Sequence, residues 1–451
     1  MTTQPAATTV RPTAVRSTTT VRPTLRAVVV LVAAVLLWVL ADLTRIAPAR
    51  VIAAALLLTL LVAAACIALS LVRLHLRRRV VDEEVPAGTA ARVQVDLDPG
   101  ALVGTVPMGR GVIREHLPDA LGGRGDLPLA LRVPHVLTVA RRGTHPLGPM
   151  DLVLRDVFGM LHLRRRIEDG ARIVGLPVAE EITTAAARTS GIAHEQQQAV
   201  TTAPGIGEIG PIARPYVPGD DIRRIHWRAS ARTGALMTRE DEPPAGRSAL
   251  IVLDNRGAPD GATSDARLEA RLDAEDRLVD HAASVLKGLR SHGWEVRVVD
   301  ADGDEIVHAE PHRGRAGSSL LGREADAVGE RAALLALADL EFGDQAPPGT
   351  RSAGGEHATG RPEVVVALGI DEGAPFEGMD LDRFAGRARH RTAIALRPAD
   401  TAEPERRRAA SADRTPPARP DPSATTVGGW TMVRGRPEHR LSDLLTAGEE
   451  A

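Results

Sequence analysis

Asp220, Asp221 and His226 stand close together in the stretch GIGEIGPIARPYVPGDDIRRIHWRASARTGALMTREDE, residues 205 to 242. Two carboxylates beside an imidazole can exchange protons or hold a divalent ion, the chemistry of a metal-assisted hydrolase. No nucleophile accompanies them at a recognisable spacing. The same stretch carries the chain's one tyrosine, Tyr216, and one of its four tryptophans, Trp227, although aromatic residues make up only 2% of the chain. Around them stand Arg214, Arg223, Arg224, Arg228, Arg232, Arg239 and Glu240. Guanidinium groups bind carboxylates bidentately, so Asp–Arg pairs here could form a hub that fixes one domain against another. Arg, Tyr and Trp are also the residues that dominate partner surfaces. Hub, partner surface and active site are the three readings of this stretch.

Local chemistry indicates how such residues would be held. Pro218-Gly219 favours a tight turn, because proline fixes φ and glycine accepts positive φ. Asp220 or Asp221 can cap a short helical turn with Ile222, Ile225 and Trp227 as its apolar residues. Thr233-Gly234 then leads into a strand from Ala235 to Glu240. Other motifs fail. His194-Glu195 starts like a zincin helix, but Gln198 occupies the place of the second histidine. Lys287, the only lysine, lies in Leu-Lys-Gly-Leu and not in a phosphate-binding loop, which excludes a P-loop ATPase. Cys66, the single cysteine, lies in an apolar run, which excludes a disulfide framework and a paired-cysteine zinc site.

At 451 residues the chain is long enough for two or three domains, and its net charge of −2 argues against a general nucleic-acid binder. Two runs, 25–43 and 51–72, are the hydrophobic extremes of the sequence. A bilayer core of about 30 Å needs about 20 helical residues, so the pair reads as a transmembrane hairpin, with Thr44 to Arg50 as its link. Arg11, Arg16, Arg22 and Arg26 stand before or at the start of the first span, and Arg73, Arg77, Arg78 and Arg79 follow the second, against Arg45 and Arg50 between them. The positive-inside rule then places both termini and the soluble domains in the cytoplasm. Residues 1–24, rich in Thr, Pro and Ala, read as a disordered tail.

From 80 to 181 short apolar runs alternate with Gly and Pro: Ala91–Leu97, Leu129–Val133, Val136–Ala140, Met150–Leu154 and Met160–Leu163. This is the pattern of a small β-sandwich. From 248 to 446 strands alternate with helices, predicting a mostly parallel α/β sheet of Rossmann type. The long helix starts at a Thr263 or Ser264 cap and runs to about Arg290, with Leu268, Leu272, Val279, Val285, Leu286 and Leu289 on or near one face and a solvated acidic face. Stretches 343–362 and 398–427 read as flexible insertions. The whole is a membrane-anchored α+β chain.

The stretch 205 to 242 resembles the signature of the domain-of-unknown-function 58 family of bacterial membrane proteins. Arg141-Arg142-Gly143, Leu147-Gly148-Pro149 and Asp156-Val157-Phe158-Gly159-Met160 resemble further elements of that family, and are read as structural turns. Val157 stands where the family tends to have proline, and Met160 where it tends to have leucine. The strand–helix order from 248 resembles a von Willebrand factor A-like domain. Such domains hold a divalent cation on Asp-x-Ser-x-Ser, but the equivalent here is Asp254-Asn255-Arg256-Gly257-Ala258. Both serines are missing and an arginine occupies a ligand position, so no cofactor is expected; Asp254 and Asp371 are the remaining weak metal candidates. The family often occurs beside MoxR-type AAA+ ATPases and transglutaminase-like membrane proteins. The resemblance therefore implies a non-enzymatic inner-membrane adaptor or docking protein in envelope-linked assembly or maturation. The alternatives are the metal-assisted hydrolase on Asp220, Asp221 and His226 and a purely structural envelope component.

Overall fold

The computed structural model describes residues 16–98, 110–193, 212–215, 225, 227–240, 247–257, 265–311, 320–343, 362–386, 388–399 and 421–448. The chain divides into two compact units, Met1–Pro177 and Val178–Ala451.

The first unit opens with strand β1 (Arg16–Pro23), then helices α1 (Leu25–Thr44) and α2 (Ala47–Arg73). Eleven strands follow: β2 (His75–Val80), β3 (Glu84–Pro86), β4 (Ala90–Asp98), β5 (Gly111–Glu115), β6 (Leu121–Gly122), β7 (Asp126–Pro128), β8 (Arg132–Val139), β9 (Gly143–Pro146), β10 (Met150–Arg155), β11 (Leu161–Glu168) and β12 (Arg172–Leu176). Both helices are long and apolar enough to cross a membrane. They pack through small residues: Ala27, Ala34 and Ala41 recur every seven residues on α1 and are buried, as are Ala53 and Ala63 on α2. Leu25, Leu36 and Leu43 point outward, at 80, 64 and 78% exposure. Small residues inside and large ones outside suit helices associated with lipid, where close backbone approach drives pairing. Pro48 lies in the first turn of α2 instead of belonging to the link, because that turn needs no N–H from it. The link shortens to Arg45, in the left-handed region, and Ile46.

The tail expectation fails for residues 16–23. They form β1, paired antiparallel with β11 in eight-residue register from Arg16↔Glu168 to Pro23↔Leu161. The five-stranded sheet β1-β11-β10-β5-β7 packs on the four-stranded β2-β4-β8-β6. Between them lie Leu76, Val95, Leu97, Ile113, Met150, Leu152 and Leu163, which alternate in sequence as a two-layer sandwich requires. A third sheet, β3-β12-β9, closes a second core on β4 and β8. The predicted strands at 129–133 and 136–140 are one strand, β8. Pro134 is tolerated because β6 pairs only with Thr138 and Val139, leaving β8 an edge at the proline.

The second unit contains α3 (Thr184–Thr189), β13 (Ile212–Pro215), α4 (Trp227–Thr233), β14 (Met237–Glu240), β15 (Ser248–Leu253), α5 (Asp265–Ser291), β16 (Glu295–Val299), β17 (Glu305–Ala309), α6 (Leu320–Ala338), β18 (Val364–Ile370), α7 (Leu381–Ala385), β19 (His390–Leu396), β20 (Ser423–Val427), β21 (Trp430–Gly435) and α8 (Leu441–Ala447). Its sheet runs β17-β16-β15-β18-β19-β21-β20, parallel through the five inner strands, with β17 and β20 antiparallel at the edges. The sheet is therefore mixed. β20 falls within the stretch 398–427 read as an insertion; it pairs with β21 through a Gly428-Gly429 turn. Strand parity separates two cores. Ile251, Val298, Val366 and Ile394 pack beneath α5, α6 and α8. Val252, Val365, Ala367 and Ala395 pack against Phe376, Ala385 and Trp430. On α5 the buried stripe is Ala274, Leu278, Ala282, Val285 and Leu289, whereas Leu268 and Leu272 are exposed, contrary to the sequence expectation.

Candidate functional site

The sequence-predicted site residues fall into three groups. Tyr216, Gly219, Asp220, Asp221, Arg223, Arg224 and His226 lie outside the described residues. Arg214, Arg239 and Glu240 lie on the two-stranded ribbon of β13 and β14, whose register sets Ile212 opposite Glu240 and Ala213 opposite Arg239. Trp227, Arg228 and Arg232 lie on α4, within the chain that joins the two strands. Ser230 ties α4 to β14 by accepting the Met237 N–H at 2.9 Å, and Gly234 closes the helix by donating to the Ser230 carbonyl at 2.9 Å. Ile225, just before α4, is buried, but Trp227 is 68% exposed and Arg228 and Arg232 are exposed. Trp227 therefore does not fill the helix's apolar face as expected.

The second site stands at the carboxyl end of the parallel sheet. β15 is flanked by β16 on one side and β18 on the other, so the connections part between β15 and β18. Crevices in open α/β sheets form at such points. Asp254 and Asp371 directly follow these two strands, their N–H groups donating to Leu368 and Leu396 at 2.8 Å. Here the chain opens a cleft of ≈ 420 Å³ lined by Asp254, Arg256, Arg271, Glu372 and Phe376.

Its charges are already paired. Arg256 grips Asp254 with two bonds of 2.7 Å, Nε to Oδ1 and Nη2 to Oδ2, and donates a third at 2.7 Å to the Glu377 carbonyl. The hydrogen bonds to Asp254 raise the Arg256 pKa above its already high ordinary value, so the guanidinium is a permanent cation. Asp371, 1% exposed, accepts from Gly373 N–H at 3.0 Å and from Arg397 at 3.1 Å, with Arg434 at 3.9 Å. Arg271 bonds Glu275 at 2.9 Å, Glu372, and the Arg256 carbonyl at 3.2 Å. Arg271 and Glu275 belong to the helix face that the sequence assigned to solvent, yet both are buried. Their spacing of four residues was the readable signal for a pair; its role at the cleft depends on Glu372, which is remote in sequence.

The two weak metal candidates are thus brought to neighbouring strand ends, each with arginine on its carboxylate. Among the described residues no three His, Cys, Asp or Glu side chains are grouped to hold a metal ion.

No curated protein matches the chain. Residues 212–338 match the family model described as "Protein of unknown function DUF58", a span that runs from β13 through the ribbon, β15, α5, β16 and β17 to the end of α6. Over that span the chain is similar to the DUF58 family.

Proposed function

We propose that this protein is a non-enzymatic docking protein, anchored in a bacterial inner membrane by α1 and α2, with both termini and its folded units in the cytoplasm. The observation that carries this reading is Trp227, a large aromatic side chain left 68% exposed beside Arg228 and Arg232 on α4. Exposed Trp with flanking Arg has the composition of an interface hot spot, and burial of that indole on a partner would gain ~2 kcal/mol or more. The exposed leucines of α1 and the arginines outside the hairpin support the anchor and its orientation. The strand order and the acid ending β15 support a von Willebrand A-like unit in which Arg256 supplies the positive charge that a cation supplies elsewhere. By the resemblance drawn from the sequence, the partner is a MoxR-type AAA+ ATPase, with a transglutaminase-like membrane protein as a further candidate.

Affinity purification from native membranes tests this, comparing the wild-type chain with Trp227→Ala/Arg228→Ala. The expected result is an AAA+ ATPase recovered with the wild type and lost with the variant, the variant keeping its unfolding midpoint. An ATPase recovered equally with both would remove α4 from the contact. Recovery of none, with a stoichiometric divalent ion found in the purified protein, would favour the hydrolase.

A further inference from the structure

The turn between β10 and β11 is built to receive the start of the first apolar helix. Asp156 accepts from Phe158 N–H at 3.0 Å and from Leu161 N–H at 2.6 Å, which closes the turn. Gly159 takes a φ of +71°, a conformation that favours glycine. The carbonyls of Gly159 and Met160 then receive the Thr24 hydroxyl at 2.8 and 2.9 Å, and Met160 also receives the Thr24 N–H at 2.8 Å. Thr24 is the N-cap of α1. The tip of the turn, held at the mouth of the apolar hairpin, presents Val157 at 53% and Phe158 at 43% exposure.

Cross-strand register places arginines beside this tip. Arg22 on β1 stands opposite His162 on β11, and His162 opposite Arg155 on β10. Arg155 donates its N–H to the Arg110 carbonyl at 2.9 Å, extending the row by one more arginine. Arg22, Arg110 and Arg155 are exposed and have no acidic partner among the described residues. The acids nearby are committed. Asp156 is buried in the turn, and buried Asp151 is bonded to Arg164 and His116 at 2.5 and 2.8 Å. Burial alone would raise the Asp151 pKa, but those two bonds outweigh it and hold the carboxyl below its ordinary range. Exposed Asp98 at this end belongs to the facing sheet, opposite His75.

Distance decides how many rows matter. Alternate residues on a strand are about 7 Å apart, and exposed charges are screened over about 8–10 Å at physiological salt. The Arg22 row lies two residues from the helix cap, and the Arg164 row lies within the screening range. The Arg166 row lies beyond it.

We propose that the Val157–Phe158 tip and the row Arg22–His162–Arg155–Arg110 form a docking surface for the headgroups of anionic phospholipids. The two apolar side chains enter the interfacial layer and the arginines hold phosphate beside them. The proposal rests on the membrane-anchor reading and adds lipid selectivity to it. Arginine suits this role because its planar fork binds two phosphate oxygens together.

The test is native mass spectrometry of the full chain in detergent, titrated with phosphatidylglycerol or phosphatidylcholine. Wild type should retain phosphatidylglycerol in preference. The Arg22→Gln/Arg110→Gln/Arg155→Gln variant should lose at least about tenfold in that retention, since each basic residue near an anionic surface contributes about fivefold. The corresponding lysine variant, which keeps the charge, should retain most of it, and Val157→Ser/Phe158→Ser should weaken it further at unchanged charge. Equal retention of both lipids, or a preference untouched by the glutamine variant, would overturn the proposal. So would full displacement of the lipid by an equal concentration of inorganic phosphate, which would assign the row to a soluble anion. Should the glutamine variant not fold, a wild-type preference that survives 0.5 M salt, at which a surface charge contact is largely screened, would overturn it as well. Alkaline carbonate extraction separates the two readings. A chain released from the membrane pellet overturns the anchor, whereas a chain kept there without lipid preference overturns only the docking surface.

Discussion

Each unit holds arginine–carboxylate pairs at a sheet, but the set around Arg78 in the first is sealed and the pair of Arg256 with Asp254 in the second is open. In the first unit Arg78, with no exposed side-chain surface, bonds Asp169 through Nε at 3.0 Å and lies 3.5 Å from fully buried Glu115. His135 contacts the same Glu115 at 2.8 Å. In the second unit Arg256 is bonded at least as tightly to Asp254, yet its side chain is 40% exposed and borders a cleft. Bond geometry is similar in the two places, so geometry does not set their worth. Burial does: an ion pair shut away from water cannot lose one member without stranding the other, whereas water replaces a missing member at an open site. The sealed set therefore belongs to folding. The open set costs the fold little to lose and stands within reach of water.

The largest effect should come from the sealed set. Arg78→Met leaves Glu115 buried without its cation and should destabilise the first unit by about 3–5 kcal/mol, read as a fall in the unfolding midpoint. A loss under 1 kcal/mol would show that water reaches the network and would erase the contrast.

Next comes a sealed group with no partner. His281 on α5 is fully buried, and neither ring nitrogen has a hydrogen-bond partner among the described residues. Burial first, then the nearby positive charge of Arg277 and His439, push its pKa down to about 3. The folded value lies below the ordinary 6.5, so between those pH values the unfolded chain takes up a proton that the folded chain refuses. Stability is full above about pH 6.5 and falls as pH drops towards 3, by about 2 kcal/mol at pH 5. Denaturant unfolding at pH 7 and pH 5 should show this decline in wild type and a smaller one in His281→Leu. Identical pH slopes in both proteins would contradict a sealed neutral imidazole.

The smallest effect belongs to the open set. Arg256→Ser should cost under about 1 kcal/mol, because the pair it breaks is partly solvated. The same change removes both guanidinium bonds from Asp254, so weak divalent binding, with a dissociation constant on the order of 10⁻³ M, should appear by calorimetry. A loss of several kcal/mol would place Arg256 with Arg78 as a structural charge.

Some of this was legible residue by residue. The two apolar helices follow from hydropathy, since Arg26 and Asp42 stand only at the ends of 25–43, Thr59 and Ser70 return their hydroxyls to the helix backbone within 51–72, and backbone bonding closes within each helix. The change from short strands to strand–helix alternation near 248 follows from local periodicity, which records which face of an element is buried. The signature stretch stood out by composition, and residues 212–338 match the model of the family it resembles. The turn phrases were legible as turns. Why Leu147-Gly148-Pro149 needs its glycine was not: a Cβ at Gly148 would come within 1.8 Å of the His116 carbonyl oxygen, a strand away.

What the sequence alone determined are the features set by neighbours along the chain: helix length, strand parity and turn chemistry. The tertiary structure alone decided the features that depend on distant partners. Arg16–Pro23 lacks the apolar alternation of a strand and becomes one because β11, far along the chain, offers a free edge. Arg78 meets Asp169 across 91 positions, and Arg271 meets Glu372 across 101. A charged residue reads the same in sequence whether it will face water, a carboxylate or a buried wall. Only the packing of remote segments fixes the local dielectric and the partner, and these decide whether an arginine holds the fold together or is left free to bind.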